Sequence, residues 1–179
     1  VTLSFGSGGG LSEVIPFTNV PASTSTLEIP LTGVTRQKAV ILLSIRSLRS
    51  VERQQYAATL NGVGAGGYFG AMAHVTAGGA IASYETLLTN TEADFLYAPG
   101  ALAVADTFGV YEIEIYKPLL TNNRRLVKVS GGFITAATKG YYHTGVFAMG
   151  NNADWDNIKL IADGGYDFHT DSGYQVLQL

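Results

Sequence analysis

The strongest constraint on this chain is a repeated pattern: short runs of alternating apolar and polar residues, spaced about 10 to 15 positions apart with turn-forming residues at nearly every junction. It is clearest near the C-terminus. Ile158, Leu160 and Ala162 point one way and Lys159 the other, Asp163-Gly164-Gly165 interrupts them, and Tyr174 and Val176 resume an extended pattern that runs into Leu177 and Leu179. Such a segment predicts two strands around a loop, with the last strand buried in a sheet.

The same reading applies upstream. Leu27, Ile29 and Leu31 alternate with Glu28 and Pro30, a half-buried strand whose proline belongs at an edge or a strand end. From Lys38 to Leu48 both faces are apolar at the start, which predicts a central strand covered on two sides there, after which Arg46, Arg49 and Arg53 are expected at the surface. Val51 to Leu60 fits either a helical turn or a strand. Asn61-Gly62 is a hairpin signal with Tyr68 to Val75 returning. Ile81 to Leu88, Phe95-Leu96-Tyr97, Arg125 to Val129 and Gly145 to Met149 are further extended segments, with a loop expected from Asn90 to Asp94. Val110 to Tyr116 alternates most regularly of all, placing Tyr111, Ile113 and Ile115 inward and Glu112 and Glu114 outward. No helical period of useful length interrupts this series, so the expected fold is all-β: an antiparallel β-sandwich of jelly-roll type.

At 179 residues the chain fits one such domain. It divides into residues 1–26, an extended N-terminal arm, and 27–179, the sandwich. The arm contains Gly6-Ser7-Gly8-Gly9-Gly10 and Pro21-Ala22-Ser23-Thr24-Ser25-Thr26, a composition that cannot form a packed unit alone and must be held by the domain surface or by a partner. The 22 glycines and 10 tyrosines, against only 25 charged residues (11 Lys+Arg and 14 Asp+Glu), fit many turns between short strands. The net charge of −3 offers no electrostatic footprint for nucleic acid or for an anionic membrane, and no apolar run approaches the ~20 residues of a membrane helix. The absence of cysteine excludes disulfides, thiolate metal sites and cysteine nucleophiles. Nothing at the N-terminus reads as a secretory signal, so synthesis in a cytoplasm is expected.

Several motifs carry chemistry in other settings. Gly62-Val63-Gly64-Ala65-Gly66-Gly67 fits G-x-G-x-x-G, with Glu85 near the position of a ribose-binding acid, but the strand-to-helix context is missing and a hairpin loop is the better reading. Asn152, Asp154, Asp156 and Asp163 match four ligand positions of an EF-hand loop. Asn157 replaces the turn glycine, however, and Asp163 the bidentate glutamate, so a solvated loop is expected and an ion at 152–163 is the alternative. His74, His143 and His169 are scattered, without the convergence a zinc site needs; only His169 has nearby carboxylates, Asp167 and Asp171. No G-x-S-x-G is present, and Glu112 and Glu114 read as a solubilising strand face, so neither an enzyme nor a cofactor is expected.

Aromatic residues are the remaining signal. Tyr141, Tyr142, Trp155 and Tyr166 stand near strand ends or in loops, Trp155 and Tyr166 directly beside Asp. They either plug the ends of the sandwich or form a rim that contacts a glycan or protein, rings supplying apolar area and amides hydrogen bonds.

The run from Trp155 to Leu179 resembles the ending of β-sandwich proteins from tailed-bacteriophage virions, which tend to carry an Ile-x-x-Ile-x-Ile strand, a glycine-containing loop with a buried Phe, a Gly-Ser pair and a closing Leu-Tyr-Gly strand. Leu27 to Val34 and Lys38 to Leu48 are similar to their opening. Here the pair is reversed, Ser172-Gly173, and the chain ends Leu-Gln-Leu. The resemblance implies a non-enzymatic virion component made in the host cytoplasm and exposed on the particle, either a tail-fibre or receptor-binding module or a capsid decoration or fibre protein. It further implies attachment to other virion proteins through the arm, with Leu3, Phe5, Leu11 and Phe17 as its anchoring side chains, possible self-association, and contact with host glycan through the tyrosines and Trp155. A free carbohydrate-binding sandwich is the alternative.

Overall fold

The computed structural model describes residues 10–60, 69–76, 81–86, 93–116, 125–136, 139–149 and 156–179. Within them the chain forms β1 (Ser12–Asn19), β2 (Thr26–Pro30), β3 (Lys38–Ile45), β4 (Arg53–Leu60), β5 (Phe69–Thr76), β6 (Ile81–Thr86), β7 (Ala93–Pro99), β8 (Gly109–Tyr116), β9 (Arg125–Ala136), β10 (Lys139–Met149), β11 (Asn157–Ala162) and β12 (Gly173–Gln178). An eight-stranded sheet in the order β1-β12-β3-β8-β9-β10-β5-β6 packs on a four-stranded sheet in the order β2-β11-β4-β7, every pairing antiparallel.

The expected β-sandwich is present, and its topology is that of a jelly roll. With the hairpins β5–β6 and β9–β10 set aside, the first strand pairs with the last, β1 with β12, and the others follow inward: β2 with β11, β3 with β8, β4 with β7. This is the pairing of one long antiparallel hairpin rolled into two sheets. The two extra hairpins then join side by side, β10 against β5, and widen the larger sheet beyond β8.

Alternation decides what fills the space between the sheets. Ile41, Ile113 and Val129 lie in register on β3, β8 and β9 and are fully buried. Ile158 and Leu160 face them from the small sheet beside Leu27, Ile29, Leu60 and Ala58. Phe95 on β7 meets Phe147 on β10 at 5.3 Å and ties the two layers, and Tyr56 on β4 stacks at 4.9 Å on Phe168 of the connection from β11 to β12. β3 is covered on both faces only at its start, where Val40 is buried; two residues on, Leu42 is exposed.

Three details differ from the sequence expectation. Ser12–Asn19, expected within the arm, is the edge strand β1, and Val20 after it is buried, so the domain begins well before residue 27. The strand is irregular, with register shifts on either side of Ile15, and Pro16 sits at a sheet edge where its missing N–H is tolerated. The open choice for Val51 to Leu60 resolves as strand β4, and Ala93 and Asp94, expected in a loop, open β7. Arg46, expected at the surface, is only 7% exposed.

Strand polarity gives the domain two poles. At one, Ser12 pairs with Gln178, Lys38 pairs with Tyr116, and the Arg36 guanidinium donates to the Gly10 carbonyl at 2.9 Å. At the other, Asn19 pairs with Gly173, Ile45 with Gly109, and Arg53 with Pro99.

Candidate functional site

The second pole is built from three connections that lock onto one another: residues 46–52, 100–108 and 163–172. Backbone hydrogen bonds bind them, from the N–H of Ala101 to the Arg49 carbonyl at 2.8 Å, of Leu48 to Asp167 at 2.9 Å, and of His169 to Arg46 at 2.8 Å. Beneath them Arg46 turns inward. Its guanidinium donates to the carbonyls of Val104 at 2.8 Å, Thr107 at 2.9 Å and Ala103 at 3.4 Å, and so sets the course of the connection into β8. Gln54, fully buried at the start of β4, does the same for the turn after β11, donating to the Asp163 carbonyl at 2.9 Å.

On this frame arginines and aromatic rings alternate. The Arg49 guanidinium lies 4.7 Å from the Tyr166 ring centre and 3.7 Å from the Asp163 carboxylate. That of Arg53 lies between two rings, 5.0 Å from Tyr97 and 5.4 Å from Tyr141. Tyr141 stacks on Phe133 at 5.1 Å; Phe133 stacks on His143 at 5.7 Å; His143 stacks on Tyr97 at 5.4 Å. The row therefore runs from a buried ring cluster out to a cationic, aromatic rim. Each guanidinium stands over a ring, and that of Arg49 also donates from Nη1 to the Gln54 Oε1 at 3.2 Å, so the cations are fixed beside apolar ring faces.

Glycines let the strands close at this point. A Cβ at Gly131 would stand 2.2 Å from the Val110 carbonyl oxygen and 2.6 Å from the Tyr111 ring, and one at Gly132 would stand 2.2 Å from the Tyr141 carbonyl oxygen. The inner position opposite Tyr111 and His143 is thus empty so that rings can fill it. Tyr111 completes the cluster by donating its hydroxyl to the Tyr97 carbonyl, and burial raises its phenol pKa well above the ordinary value.

Beside the rim lies an open, apolar groove of about 620 Å³ lined by Val75, Phe108, Phe133, Ile134, Tyr141 and Tyr142 among others. A smaller hollow of about 240 Å³ lies on the other side of Phe108, between Arg46, Asp106 and His169. His169 sits edge-on to Phe108 at 5.6 Å, and its Nδ1 lies 3.2 Å from the Asp171 N–H and 3.7 Å from the Asp171 carboxylate.

Of the residues singled out from the sequence, Tyr141, Tyr142 and Tyr166 share this pole. Tyr141 is half-buried in the stack, a partial end plug, whereas Tyr142 and Tyr166 are exposed. Phe17 is exposed on the outer face of the large sheet, packed over Gly173, and Leu11 is half-buried at the opposite pole. Trp155, Leu3, Phe5, Asn152, Asp154 and the glycines from Gly62 to Gly67 lie outside the described residues, as do the side chains of His74 and Glu85. Asp163 faces Arg49, and among the described residues no cluster of three His, Asp or Glu side chains is arranged to hold a metal ion. Glu112 is exposed as expected. Glu114, half-buried, lies between Lys38 at 3.7 Å and Lys128 at 3.9 Å, and accepts the Tyr116 hydroxyl, whose pKa that bond pushes up to about 12. Sequence reading missed Arg49, Arg53, Tyr97 and His143 as members of one cluster. The spacing of Arg49 and Arg53 was the available signal.

No family model matches the chain, and comparison with curated proteins and with solved structures gives no match.

Proposed function

We propose that this chain is a non-enzymatic structural component exposed on a bacteriophage particle, of tail-fibre and receptor-binding type or of capsid decoration and fibre type. The observation that carries the reading is the separation of the two poles. The chain enters the domain at Gly10, held by Arg36, at one pole; the arginine–tyrosine rim occupies the other. A domain anchored through residues before Gly10 then presents that rim outward. The jelly roll is also an architecture of viral capsid domains and of lectins, which supports the reading by fold-level analogy. The test is whether the chain is a component of purified particles, and which of its poles an antibody reaches on them.

The rim favours a second reading, a carbohydrate-binding sandwich. Tyr166 over Arg49 pairs an apolar ring face with cationic donors, the combination that takes a sugar ring and its hydroxyl or carboxylate groups. On this reading the purified domain binds members of a glycan array, and Tyr166→Ala weakens binding about tenfold, or about 1.4 kcal/mol, with the thermal transition unchanged. An array on which the wild-type protein binds nothing rules it out.

A further inference from the structure

Arg46 is only 7% exposed, yet among the described residues it has no counter-ion. Its guanidinium donates to neutral acceptors, the carbonyls of Ala103, Val104 and Thr107 and the Thr107 hydroxyl. Its Nε–H has no acceptor among the described residues, and Nε is not one of the polar atoms sealed from solvent. Charges held out of water are ordinarily paired. Here a cationic donor is left over at an enclosed position.

Arg46 also lines the hollow of about 240 Å³ beside Phe108. This is smaller than the roughly 300–1,000 Å³ of pockets for drug-sized ligands and suits a single ring. Three features of the lining select what fits. The uncompensated cation, set in low-dielectric walls, favours an anionic group. Asp106, exposed on the same lining, repels a bare anion but accepts hydroxyl donors. Phe108 and Leu48 supply apolar wall for the C–H face of a ring. His169, the remaining titratable group of the lining, has the Asp171 carboxylate 3.7 Å from its Nδ1, so any charge it carries is met by a residue that does not line the hollow. A ligand with a carboxylate, hydroxyls and an apolar ring face satisfies all three features. We infer that the hollow is a subsite for a carboxylated sugar residue, of uronate or sialate class, with its carboxylate on Arg46, hydroxyls donating to Asp106 and its ring face against Phe108. The inference rests on the carbohydrate reading of the rim and specifies the charge of the glycan; Tyr166 and His169 stand on one connection, so rim and hollow belong to the same surface.

An array of acidic glycans offered to the full chain in two forms, native and with carboxylates reduced to primary alcohols, tests this. The native form is expected to bind, and reduction should weaken binding at least tenfold. Ala105→Phe fills the hollow from an exposed lining position and should bring the native form down to the level of the reduced one, with the thermal transition unchanged. Leu102→Phe, exposed on the same connection but outside the hollow, should keep the preference. Binding to no glycan would overturn the carbohydrate reading and the subsite together. Binding that survives reduction, or a preference that Ala105→Phe leaves intact, would overturn the subsite alone. So would acetate competing as well as the acidic glycan, the mark of a site for an adventitious ion only.

Discussion

Replacing Gly131 with valine is expected to lower the unfolding free energy by about 3 kcal/mol, the upper part of the range for overpacking a well-filled interior. Gly131 lies on the inner face of β9, opposite Tyr111 on one side and His143 on the other. Even a single methyl would stand 2.2 Å from a backbone oxygen of β8 and 2.6 Å from the Tyr111 ring, so β8 and β9 would have to separate. The cost reaches further, because Tyr111 is hydrogen-bonded to the Tyr97 carbonyl and Tyr97 carries Arg53. Urea denaturation should show a lower midpoint at unchanged slope, and Gly131→Ala should fall between parent and valine variant. A loss below about 1 kcal/mol for valine would mean that the strands give way without disturbing the ring cluster.

The second large effect concerns Arg46. Replacing it with methionine keeps the length and apolar bulk of the side chain but removes the donors that hold the carbonyls of Ala103, Val104 and Thr107. Carbonyls stripped of a charged donor in a site this enclosed cost about 1 to 3 kcal/mol each where water cannot replace it. The connection can relax toward solvent, so a total of about 3 kcal/mol is expected. Hydrogen exchange should locate the damage, with residues 101–108 losing protection while β3 and β8 keep theirs. Arg49→Met is the control: that side chain is about a third exposed (32%), its ion pair contributes at most about 1 kcal/mol, and it gives up one hydrogen bond, to Gln54 at 3.2 Å, where Arg46 gives up its bonds to three carbonyls. Equal losses from the two variants would contradict the clamp.

Much of the fold is legible in the sequence, for a stated physical reason. Where one face of a strand is buried and the other wet, as in Val110–Tyr116 and Asn157–Ala162, alternation reports burial directly, and both segments are strands of the expected polarity. β9 and β10 are harder to read. Gly131, Gly132, Gly140 and Gly145 resemble turn signals, yet they lie within long strands; at Gly131 a Cβ would meet the Tyr111 ring and the β8 backbone, and at Gly132 the β10 backbone. β4 was ambiguous since Gln54 and Gln55 give it a polar start, and Gln54 is satisfied by a carbonyl 109 residues away. Arg46 is buried for a similar reason: its partners arrive 57 to 61 residues later. The tyrosines of the rim could be named from the sequence, but their grouping depends on Arg49 and Arg53, which the connection from β3 to β4 delivers to two different rings. The edge strand β1 was hidden by Pro16 and by the register shifts around it.

The proposed role turns on the direction in which the two poles point. An epitope tag inserted at Gly165, where a built Cβ meets nothing within 4 Å, marks the rim; one placed beside Gly10 marks the entry pole. Particles carrying either version should both contain the chain, and antibody should bind intact particles tagged at Gly165 and fail to reach those tagged beside Gly10. Particles that lack the chain altogether, or that expose the Gly10 tag while hiding the one at Gly165, would contradict the account.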